Sequence, residues 1–336
     1  MDALVCLEPG RLAIESRPDA VRAEGEVLVR PRRVGICGTD YHIFEGKHPF
    51  LTYPRVMGHE LAVEVVEAPA ESELRQGEVL VVNPYLSCGH CIACRRGKPN
   101  CCTSIAVLGV HRDGGMTERL SLPPGNLLRA NGLSVDACAT VEFLAIGAHA
   151  VRRGMVTDVD RVLVIGAGPI GLGVAIFARR NGAEVAIMDI DAARLNAAVR
   201  LAGARHGIVA GTAATAISAA TQGEGFDVVF DATGNRESIE RGFDHVAAGG
   251  RYVLVSIVKG DISFTDVDFH RREMTLLGSR NATNADFETV MDAIRAGHVP
   301  VDQIITHRTT LAGAVRDLGA WASQKQGLIK AMIALD

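Results

Sequence analysis

In the second half of the chain, short apolar runs rich in β-branched residues alternate with alanine-rich stretches of helical period. The runs at 161–165, 184–189, 226–232, 251–256 and 275–279 predict β-strands, and the stretches between most of them predict helices. Continuous apolar strands linked by helices are typical of a parallel sheet whose two faces are both covered. This half of the chain therefore predicts a doubly wound α/β domain.

The first half of the chain has a different pattern. Its apolar runs, such as 27–29, 61–67 and 78–82, are shorter and are repeatedly interrupted by glycine and proline. This pattern predicts a mainly antiparallel, loop-rich domain that joins the α/β domain near residues 150–160. The length of 336 residues fits two domains of about 150 residues each.

Charge and hydropathy argue against two classes of partner. The formal net charge of −4 leaves no basic field for a phosphate backbone, so we expect no nucleic-acid partner. The longest charge-free stretch, 162–178, contains four glycines and falls short of the roughly 20 apolar residues that span a bilayer. We expect no membrane partner. Because the apolar run at 3–7 is too short for a signal peptide, we also expect a cytoplasmic protein.

Five of the eight cysteines fall within fifteen residues, and in a reducing compartment such a cluster favours metal binding over disulfides. Four thiolates at short, loop-compatible spacings suit a closed tetrahedral zinc that stabilises a lobe, here about 85–105, and does not react. Cys101 is an alternative fourth ligand, and His90 is a weaker one. The four predicted ligands are Cys88, Cys91, Cys94 and Cys102.

A Gly-x-Gly-x-x-Gly pattern lies between the predicted strand 161–165 and a predicted helix. Glycines at such a turn let a pyrophosphate approach the backbone and the helix N-terminus. Asp189 ends the next predicted strand, where a carboxylate accepts hydrogen bonds from the adenosine ribose and repels a 2′-phosphate. This favours NAD over NADP, although Arg194 could instead attract a 2′-phosphate. The predicted cofactor-binding residues are Gly166, Gly168, Pro169, Ile170, Gly171, Asp189 and Arg194.

Two further segments carry metal-ligand types. The first is Gly-Ile-Cys37-Gly-Thr39-Asp-Tyr-His42, and the second is Gly-His59-Glu60. Together they offer a thiolate, an imidazole and a carboxylate for a second metal. Since the two segments are distant along the sequence, a buried thiol and a satisfied core histidine remain open interpretations of the same residues.

The motifs follow one another as Gly-Ile-Cys-Gly-Thr-Asp-x-His, Gly-His-Glu, the four-cysteine lobe and Val-x-Gly-Ala-Gly-Pro-Ile-Gly. In this order the chain resembles the zinc-dependent medium-chain dehydrogenases over essentially its whole length. The resemblance implies a GroES-like catalytic domain at 1–150, a Rossmann NAD-binding domain at 151–282 and a C-terminal segment at 283–336 that completes the catalytic domain. It also implies that Cys37 and His59 bind a catalytic zinc, and that Glu60 binds it directly or lies beside its ligands.

Glu142 stands where alcohol-dehydrogenase relatives have a cysteine and polyol dehydrogenases have a glutamate. The surrounding sequence resembles the sorbitol dehydrogenase branch, although that branch usually has Glu-Pro where this chain has Glu142-Phe143. The resemblance implies that Glu142 binds the catalytic zinc directly or through water; the alternative is a glutamate on a helix surface. Arg280 resembles the arginine that supports this glutamate in the polyol branch, and is otherwise a surface arginine.

The chemistry that the resemblance implies is hydride transfer to NAD. A catalytic zinc lowers the pKa of a substrate hydroxyl, so that hydride can leave carbon for the nicotinamide. A hydroxyl at the position of Thr39 and an imidazole at the position of His42 relay the released proton towards solvent. In the polyol branch Glu142 shares that task, and His42 is otherwise an ordinary loop histidine.

The segment 269–283 resembles bacterial sugar-acid dehydrogenases related to L-galactonate 5-dehydrogenase. It implies NAD-dependent oxidation of a secondary hydroxyl on a small-molecule polyol or sugar acid, such as L-galactonate. A sugar acid needs a cation at the far end of the cleft. The candidate cations are Lys47, His48, His111, His270 and Arg271.

Two alternatives remain open at this point. One is an L-threonine or small secondary-alcohol dehydrogenase with the same zinc and cofactor. The other, from a different class, is a non-catalytic regulatory protein that binds NAD and zinc. Family members commonly pair through the cofactor domain, so the resemblance also implies a homodimer or homotetramer, with 264–274 as the expected contact region.

Overall fold

The structure is a computed structural model that describes residues 1–48, 51–324 and 326–336. It forms two compact units: Met1–Glu142 with Ala282–Asp336, and Phe143–Asn281. The first of the two changes of unit falls inside a helix, Val141–Arg153, whereas the sequence places that boundary at residue 150. The second change lies one residue before the predicted one at 282.

The first unit is mainly β, and most of its strands come before residue 130. Their bounds are β1 (Asp2–Glu8), β2 (Arg11–Ser16), β3 (Val27–Ile36), β4 (Arg55–Val56), β5 (Glu60–Glu67), β6 (Val79–Val82), β7 (Tyr85–Leu86), β8 (Ala106–Val107), β9 (Leu120–Leu122) and β10 (Leu127–Arg129). The helices that follow or interrupt them are α1 (Gly38–Phe44), α2 (Ile92–Arg95), α3 (Val135–Cys138) and α4 (Val141–Arg153).

The second unit alternates strands and helices. Its strands are β11 (Arg161–Ile165), β12 (Glu184–Asp189), β13 (His206–Val209), β14 (Phe226–Asp231), β15 (Val246–Leu254) and β16 (Thr275–Gly278). Its helices are α5 (Pro169–Arg180), α6 (Ala192–Ala202), α7 (Ala213–Thr221), α8 (Arg236–Gly242) and α9 (Asp266–Arg271). The chain then returns to the first unit with α10 (Asn284–Arg295), α11 (Val301–Ile304), β17 (Ile305–Thr310), α12 (Leu311–Ser323) and β18 (Lys330–Ala334).

The main sheet of the first unit has the order β10-β6-β5-β3-β18-β17 among the described residues, with β9 also pairing with β3. Strand β3 is its centre, because it pairs antiparallel with β5 on one side and with β18 on the other. Ala331 of β18 lies opposite Ile36 of β3, so the C-terminal strand ends up beside the Cys37 segment. Glu60 lies opposite Gly35 and begins β5 on the other side of β3.

The sheet of the second unit has the order β13-β12-β11-β14-β15-β16, and all of its strand pairs are parallel. After β11 the chain builds outward through β12 and β13, then crosses back to place β14 on the other side of β11. The turn after β11 therefore lies at the switch point of a doubly wound sheet. The predicted fold class, a Rossmann-like parallel sheet plus a mainly β unit, is confirmed.

The apolar pattern explains both sheets. Four of the five residues of β11 are buried, as the continuous run 162–165 predicts for a central parallel strand. In β3 the predicted run 27–29 extends to Ile36, where exposed and half-buried positions such as Arg30 and Arg32 interrupt the apolar signal. Within the part of the chain that the structure describes, no helix has both the length and the hydropathy needed to cross a membrane.

Candidate metal centres and cofactor site

Helix α1 and the turn before β5 bring three candidate metal ligands together. Cys37 is the N-cap residue of α1, while His59 and Glu60 lie where the chain enters β5. One ligand atom from each of the three lies within 4.8 Å of the others. His59 and Glu60 are buried and Cys37 is half-buried. Two segments that are distant in sequence therefore meet at one point.

The Asp40 side chain links these two segments by hydrogen bonds. Its Oδ2 accepts a hydrogen bond from the Cys37 backbone N–H at 2.9 Å, and its Oδ1 accepts one from the Gly58 N–H at 3.3 Å. The carboxyl is fully buried, and burial raises its pKa despite the opposing effect of His59 and of these N–H donors. Sequence reasoning missed Asp40 because a capping aspartate also explains its position after Cys37.

His59 fits a metal ligand on its chemistry. Its Nδ1 is buried and has no hydrogen-bond partner among the residues that the structure describes. Burial lowers the pKa of the imidazole, but the nearby Cys37, Asp40 and Glu142 outweigh that effect and raise the pKa well above its usual value. The surroundings of this ring therefore favour a positive charge, which a metal cation supplies.

Lys330, the first residue of β18, pairs with Glu60. Its Nζ donates to both carboxylate oxygens at 2.7 Å and to the Ile36 carbonyl at 3.3 Å. Both side chains are fully buried. Burial lowers the pKa of Lys330, but Glu60 and Cys37 raise it above its usual value, so the lysine stays charged. A lysine at the start of the otherwise apolar run 331–334 was the available sequence signal for this contact.

Glu142, in the first turn of α4, lies in the same unit but outside that group of three. Its Oε1 accepts a short hydrogen bond from the Tyr85 hydroxyl, and both side chains are buried. Burial raises the pKa of Glu142 to about 7, and the charge of Glu60 adds to this while His59, Tyr85 and Lys330 oppose it. Whether Glu142 binds metal stays a prediction; its partner Tyr85 was not predicted.

The predicted proton-relay residues both lie on α1. Thr39 is half-buried, and its Oγ1 accepts a hydrogen bond from the Cys37 thiol at 3.7 Å. His42 is exposed in the last turn of α1, three residues further on and therefore on the same face of the helix. The helix thus runs from the candidate ligand Cys37 to the exposed imidazole of His42.

The four predicted lobe cysteines form the second group of candidate ligands. One Sγ atom from each lies within 4.8 Å of the other three. Cys101 is exposed and is not part of this group, and His90 is exposed with its Nδ1 2.8 Å from the Cys88 carbonyl. The members of the group are Cys88, Cys91, Cys94 and Cys102.

Backbone N–H groups point at the sulfurs of this lobe. The Cys88 and Ser104 N–H groups donate to the Cys102 sulfur at 3.3 and 3.4 Å, and the Cys91 N–H donates to the Cys88 sulfur at 3.4 Å. Hydrogen bonds from the backbone lower the pKa of Cys91 to about 5. Donors of this kind stabilise thiolates, so the donor set fits a structural zinc.

In the second unit, the turn between β11 and α5 carries the predicted glycine pattern. Gly166 has φ +100°, a left-handed conformation that side chains rarely adopt. A Cβ on Gly171 would lie 1.8 Å from the Gly166 carbonyl oxygen, whereas Gly168, the N-cap of α5, has open space where its Cβ would be. Pro169 and Ile170 begin α5. The turn thus leaves an accessible backbone at a helix N-terminus, which fits a pyrophosphate.

Asp189 ends β12 and faces this turn. Its carboxylate accepts hydrogen bonds from the Ala167 N–H at 2.7 Å and the Asp191 N–H at 2.9 Å. Arg194 adds two more, from Nε at 3.2 Å and from NH2 at 2.6 Å. Burial raises the pKa of Asp189, but Arg194 and the N–H donors more than offset this and lower it. The two predicted residues are therefore an ion pair.

The predicted substrate cations have varied surroundings. Lys47 pairs with Glu45 at 2.9 Å, and Arg271 pairs with Asp268 at 3.1 Å. His111 accepts a hydrogen bond from the Val107 N–H at 3.1 Å through Nδ1. The remaining candidates, His48 and His270, and the predicted supporting residue Arg280 stay predictions.

Comparison with known proteins identifies the family. The profile described as "Alcohol dehydrogenase GroES-like domain" matches residues 23–132, and the one described as "Zinc-binding dehydrogenase" matches residues 169–296. The chain belongs to the zinc-type alcohol dehydrogenases of the medium-chain kind. The family prediction is confirmed, and the protein is an oxidoreductase of this class.

Two relatives of this chain are named as sugar-acid dehydrogenases. L-galactonate-5-dehydrogenase of Escherichia coli K12 is 39% identical over 99% of this chain and 98% of its own length. L-idonate 5-dehydrogenase of Vitis vinifera is 31% identical over 85% of this chain and 81% of its own length. Among solved structures, the RspB alcohol dehydrogenase of E. coli CFT073 in complex with NADH superposes with a TM-score of 0.93 at 29% identity, covering 100% and 99% of the two chains. The chain is thus similar to polyol and sugar-acid dehydrogenases.

Proposed function

We propose that this enzyme oxidises a secondary hydroxyl of a sugar acid or polyol, with L-galactonate as the first candidate, and passes the hydride to NAD. The observation that carries the proposal is the group of Cys37, His59 and Glu60, of which His59 and Glu60 are buried and whose ligand atoms lie within 4.8 Å of one another. The similarity to L-galactonate-5-dehydrogenase and L-idonate 5-dehydrogenase favours a sugar acid.

Cys37 and His59 would hold a catalytic zinc, with Glu60 and Glu142 as neighbouring carboxylates. When bound, zinc supplies Lewis acidity that lowers the pKa of a substrate hydroxyl, and NAD supplies the hydride acceptor. The chain's own contribution is to fix the ligands: Asp40 holds the backbone beside Cys37 and His59, and Lys330 orients Glu60.

Proton removal would follow α1. The Thr39 hydroxyl lies beside Cys37, and His42 is exposed on the same face of the helix. A hydroxyl followed by an imidazole can carry a proton from a buried site to solvent. We assign the relay to this pair.

The four-cysteine lobe would hold a second zinc with no reacting position. Its ligands are all thiols. Backbone N–H groups donate to the sulfurs of Cys88 and Cys102 and lower the pKa of Cys91 to about 5, whereas burial raises the pKa of Cys94 to about 11. Its role would be to fix the loop 88–102.

NAD would bind at the turn between β11 and α5. Asp189 would accept hydrogen bonds from the ribose hydroxyls, and its charge would disfavour a 2′-phosphate there. Arg194 is engaged by Asp189 in this structure, which supports NAD over NADP.

Subunit pairing would use the edge of the second sheet. Strand β16 is the last strand in the sheet order, and Leu276 on it is 38% exposed. Phe264 and Val267, which precede β16 in the sequence, are also exposed apolar residues. An unprotected edge with apolar side chains can add the same strand of a second copy, which supports a homodimer or a tetramer built from such dimers. Sedimentation of a Leu276→Lys variant tests this contact.

The test of the function is the reduction of nicotinamide by the zinc-loaded enzyme. L-galactonate and L-idonate are compared with their matching polyols, L-threonine and simple primary alcohols, each with NAD and with NADP. We expect the sugar acids to give a kcat/KM at least tenfold above that of the other substrates, with NAD preferred.

Faster turnover of L-threonine or of primary alcohols would replace the proposed substrate class. Absence of reduction with every substrate, while calorimetry shows NAD bound and two zinc ions are present, would favour a regulatory protein.

A further inference from the structure

The Tyr85 hydroxyl and the Glu142 carboxylate form a buried contact that the proposed chemistry does not use. Tyr85 is 7% exposed and Glu142 is 4% exposed. Tyr85 donates to Glu142 Oε1, which is the only kind of hydrogen bond an ionised carboxylate can make with a phenol. Burial and the charge of Glu142 raise the pKa of Tyr85 well above its usual value, so the hydroxyl keeps its proton.

Two asparagine side chains hold the backbone of Tyr85 by hydrogen bonds. Its backbone N–H donates to Asn83 Oδ1 at 3.1 Å, and its carbonyl accepts from Asn126 Nδ2 at 3.3 Å. The Asn83 amide in turn donates to Asn284 Oδ1 at 2.7 Å. Strand β7 is also paired with β8, so the backbone that carries the buried Tyr85 ring is held on both sides. These contacts limit how far the hydroxyl can move with the Glu142 carboxylate.

Glu142 lies close to the candidate catalytic metal group without belonging to it. Its charge raises the pKa of His59, and the charge of Glu60 in turn raises the pKa of Glu142. Its carboxylate is nevertheless not among the atoms that lie within 4.8 Å of one another at Cys37, His59 and Glu60. The side chain of a glutamate has three rotatable bonds, so a small rotation would change its distance from that group.

A structural role alone does not explain the pair. A buried carboxylate carries a desolvation penalty of several kcal/mol, and apolar residues of similar volume are often equally stable or more stable. A hydroxyl that holds this carboxylate is useful where the orientation of the carboxylate decides the coordination of a cation.

We propose that Tyr85 is a positioning residue whose hydroxyl holds the Glu142 carboxylate beside the Cys37, His59 and Glu60 group and out of direct coordination. A metal at that group then keeps a position for the substrate hydroxyl. The inference rests on the proposed function only in its last step, since the coordination of the metal can be measured without any substrate.

The experiment uses the full chain with cobalt in place of zinc, because the visible spectrum of cobalt reports its coordination. Tyr85→Phe removes the hydroxyl and leaves the ring. We expect Glu142 to turn onto the metal, which changes the cobalt spectrum and slows release of this metal to a chelator. The four-cysteine lobe contributes the same spectrum in every variant. In the zinc enzyme, kcat should fall by about 10- to 100-fold while KM stays within about twofold.

Two comparisons isolate the contact. Tyr252→Phe is the matched control, because Tyr252 is also buried and donates its hydroxyl proton to a backbone carbonyl, that of Ile239 at 3.0 Å, in the second unit. It should leave the cobalt spectrum unchanged. In a Glu142→Gln background, Tyr85→Phe should add little, since a neutral amide is a poor ligand and the two changes act on one contact.

Glu142→Asp disrupts the same hydrogen bond by shortening the side chain that carries the carboxylate. This variant replaces Tyr85→Phe if the Tyr85→Phe protein does not fold, and its cobalt spectrum should again differ from that of the unsubstituted protein. An unchanged spectrum and kcat in a folded Tyr85→Phe protein would overturn the proposal, and so would an equal spectral change in the Glu142→Gln background. Inactivity towards sugar acids with the spectral change present would instead contradict only the proposed substrate.

Discussion

In the four-cysteine lobe, all candidate ligands are thiols on a loop, and the groups that support them are backbone N–H donors. In the group of Cys37, His59 and Glu60, the ligand atoms are of three kinds and the supporting groups are the side chains of Asp40 and Lys330. Backbone donors fix a site without adding charge, whereas buried charged side chains set the charge balance at the ligands. This difference supports the proposal of a structural metal in the lobe and of a reactive metal at the mixed group, as we call Cys37, His59 and Glu60.

Loss of a lobe thiol should have the largest effect. Cys94→Ser removes one of the four ligands, and we expect the first unit to lose more than about 4 kcal/mol in free energy of unfolding, because loss of a metal is one of the few causes of the largest effects of single substitutions. Thermal unfolding followed by circular dichroism and zinc content per chain check this. Retention of two zinc ions and an unchanged Tm would contradict the structural role of the lobe.

Loss of Lys330 should come next. Lys330→Met leaves the Glu60 carboxylate buried without its counter-ion, and breaking a buried pair in this way costs about 3–5 kcal/mol. Urea denaturation measures the change. The matched control is Lys47→Met, because Lys47 is exposed and its ion pair with the half-buried Glu45 should contribute less than about 1 kcal/mol. An equal loss of unfolding free energy in the two variants would show that burial of the Lys330–Glu60 pair does not increase its contribution to stability.

Loss of Cys37 should affect turnover more than stability. Cys37→Ser removes a ligand of the proposed catalytic zinc, and we expect kcat/KM to fall by more than about 100-fold, because even a lost supporting residue costs 10- to 100-fold. One zinc per chain should remain in the lobe. Cys101→Ser, at the exposed thiol beside the lobe, is the control and should keep both activity and zinc. A Cys37→Ser protein that kept both zinc ions would place the second metal elsewhere.

The smallest effect should be a change in cofactor preference that leaves both metal centres intact. Asp189→Ser removes the carboxylate that engages Arg194, which then becomes available to a 2′-phosphate. We expect kcat/KM with NAD to fall about tenfold and kcat/KM with NADP to rise, with two zinc ions retained. If the preference for NAD is unchanged, Asp189 does not contact the ribose.

The parts of the fold that depend on local pattern were predictable. The strand at 161–165 and the cysteine spacing in the lobe are short-range signals, and the structure shows the strand and groups the four thiols. The contacts that the sequence did not predict join distant residues: Lys330 meets Glu60 across 270 positions, and Tyr85 meets Glu142 across 57. Only the pairing of β18 with β3 and the course of β7 bring these side chains together.

The charged residues around the group of Cys37, His59 and Glu60 could not be predicted from the sequence for a second reason. Asp40 satisfies the rule for a helix cap, so its contact with the Gly58 N–H leaves no further trace in the sequence. The boundary at residue 150 was predicted from the change in the pattern of strands and helices and from the family resemblance. The chain instead changes unit within α4 after Glu142, where helical periodicity continues without a break.

The four-cysteine lobe begins after β7 and ends before β8. Only two residue pairs join these two strands. A ladder this short cannot by itself offset the entropy of closing the loop between its ends. A metal held by Cys88 and Cys102 would cross-link that loop near its base and reduce the chain entropy that the ladder must overcome. Metal binding in the lobe would thereby add to the order that Asn83 and Asn126 give to Tyr85. Slow depletion of this metal should first appear as a scatter in the orientation of Glu142 and a fall in turnover, before any secondary structure is lost.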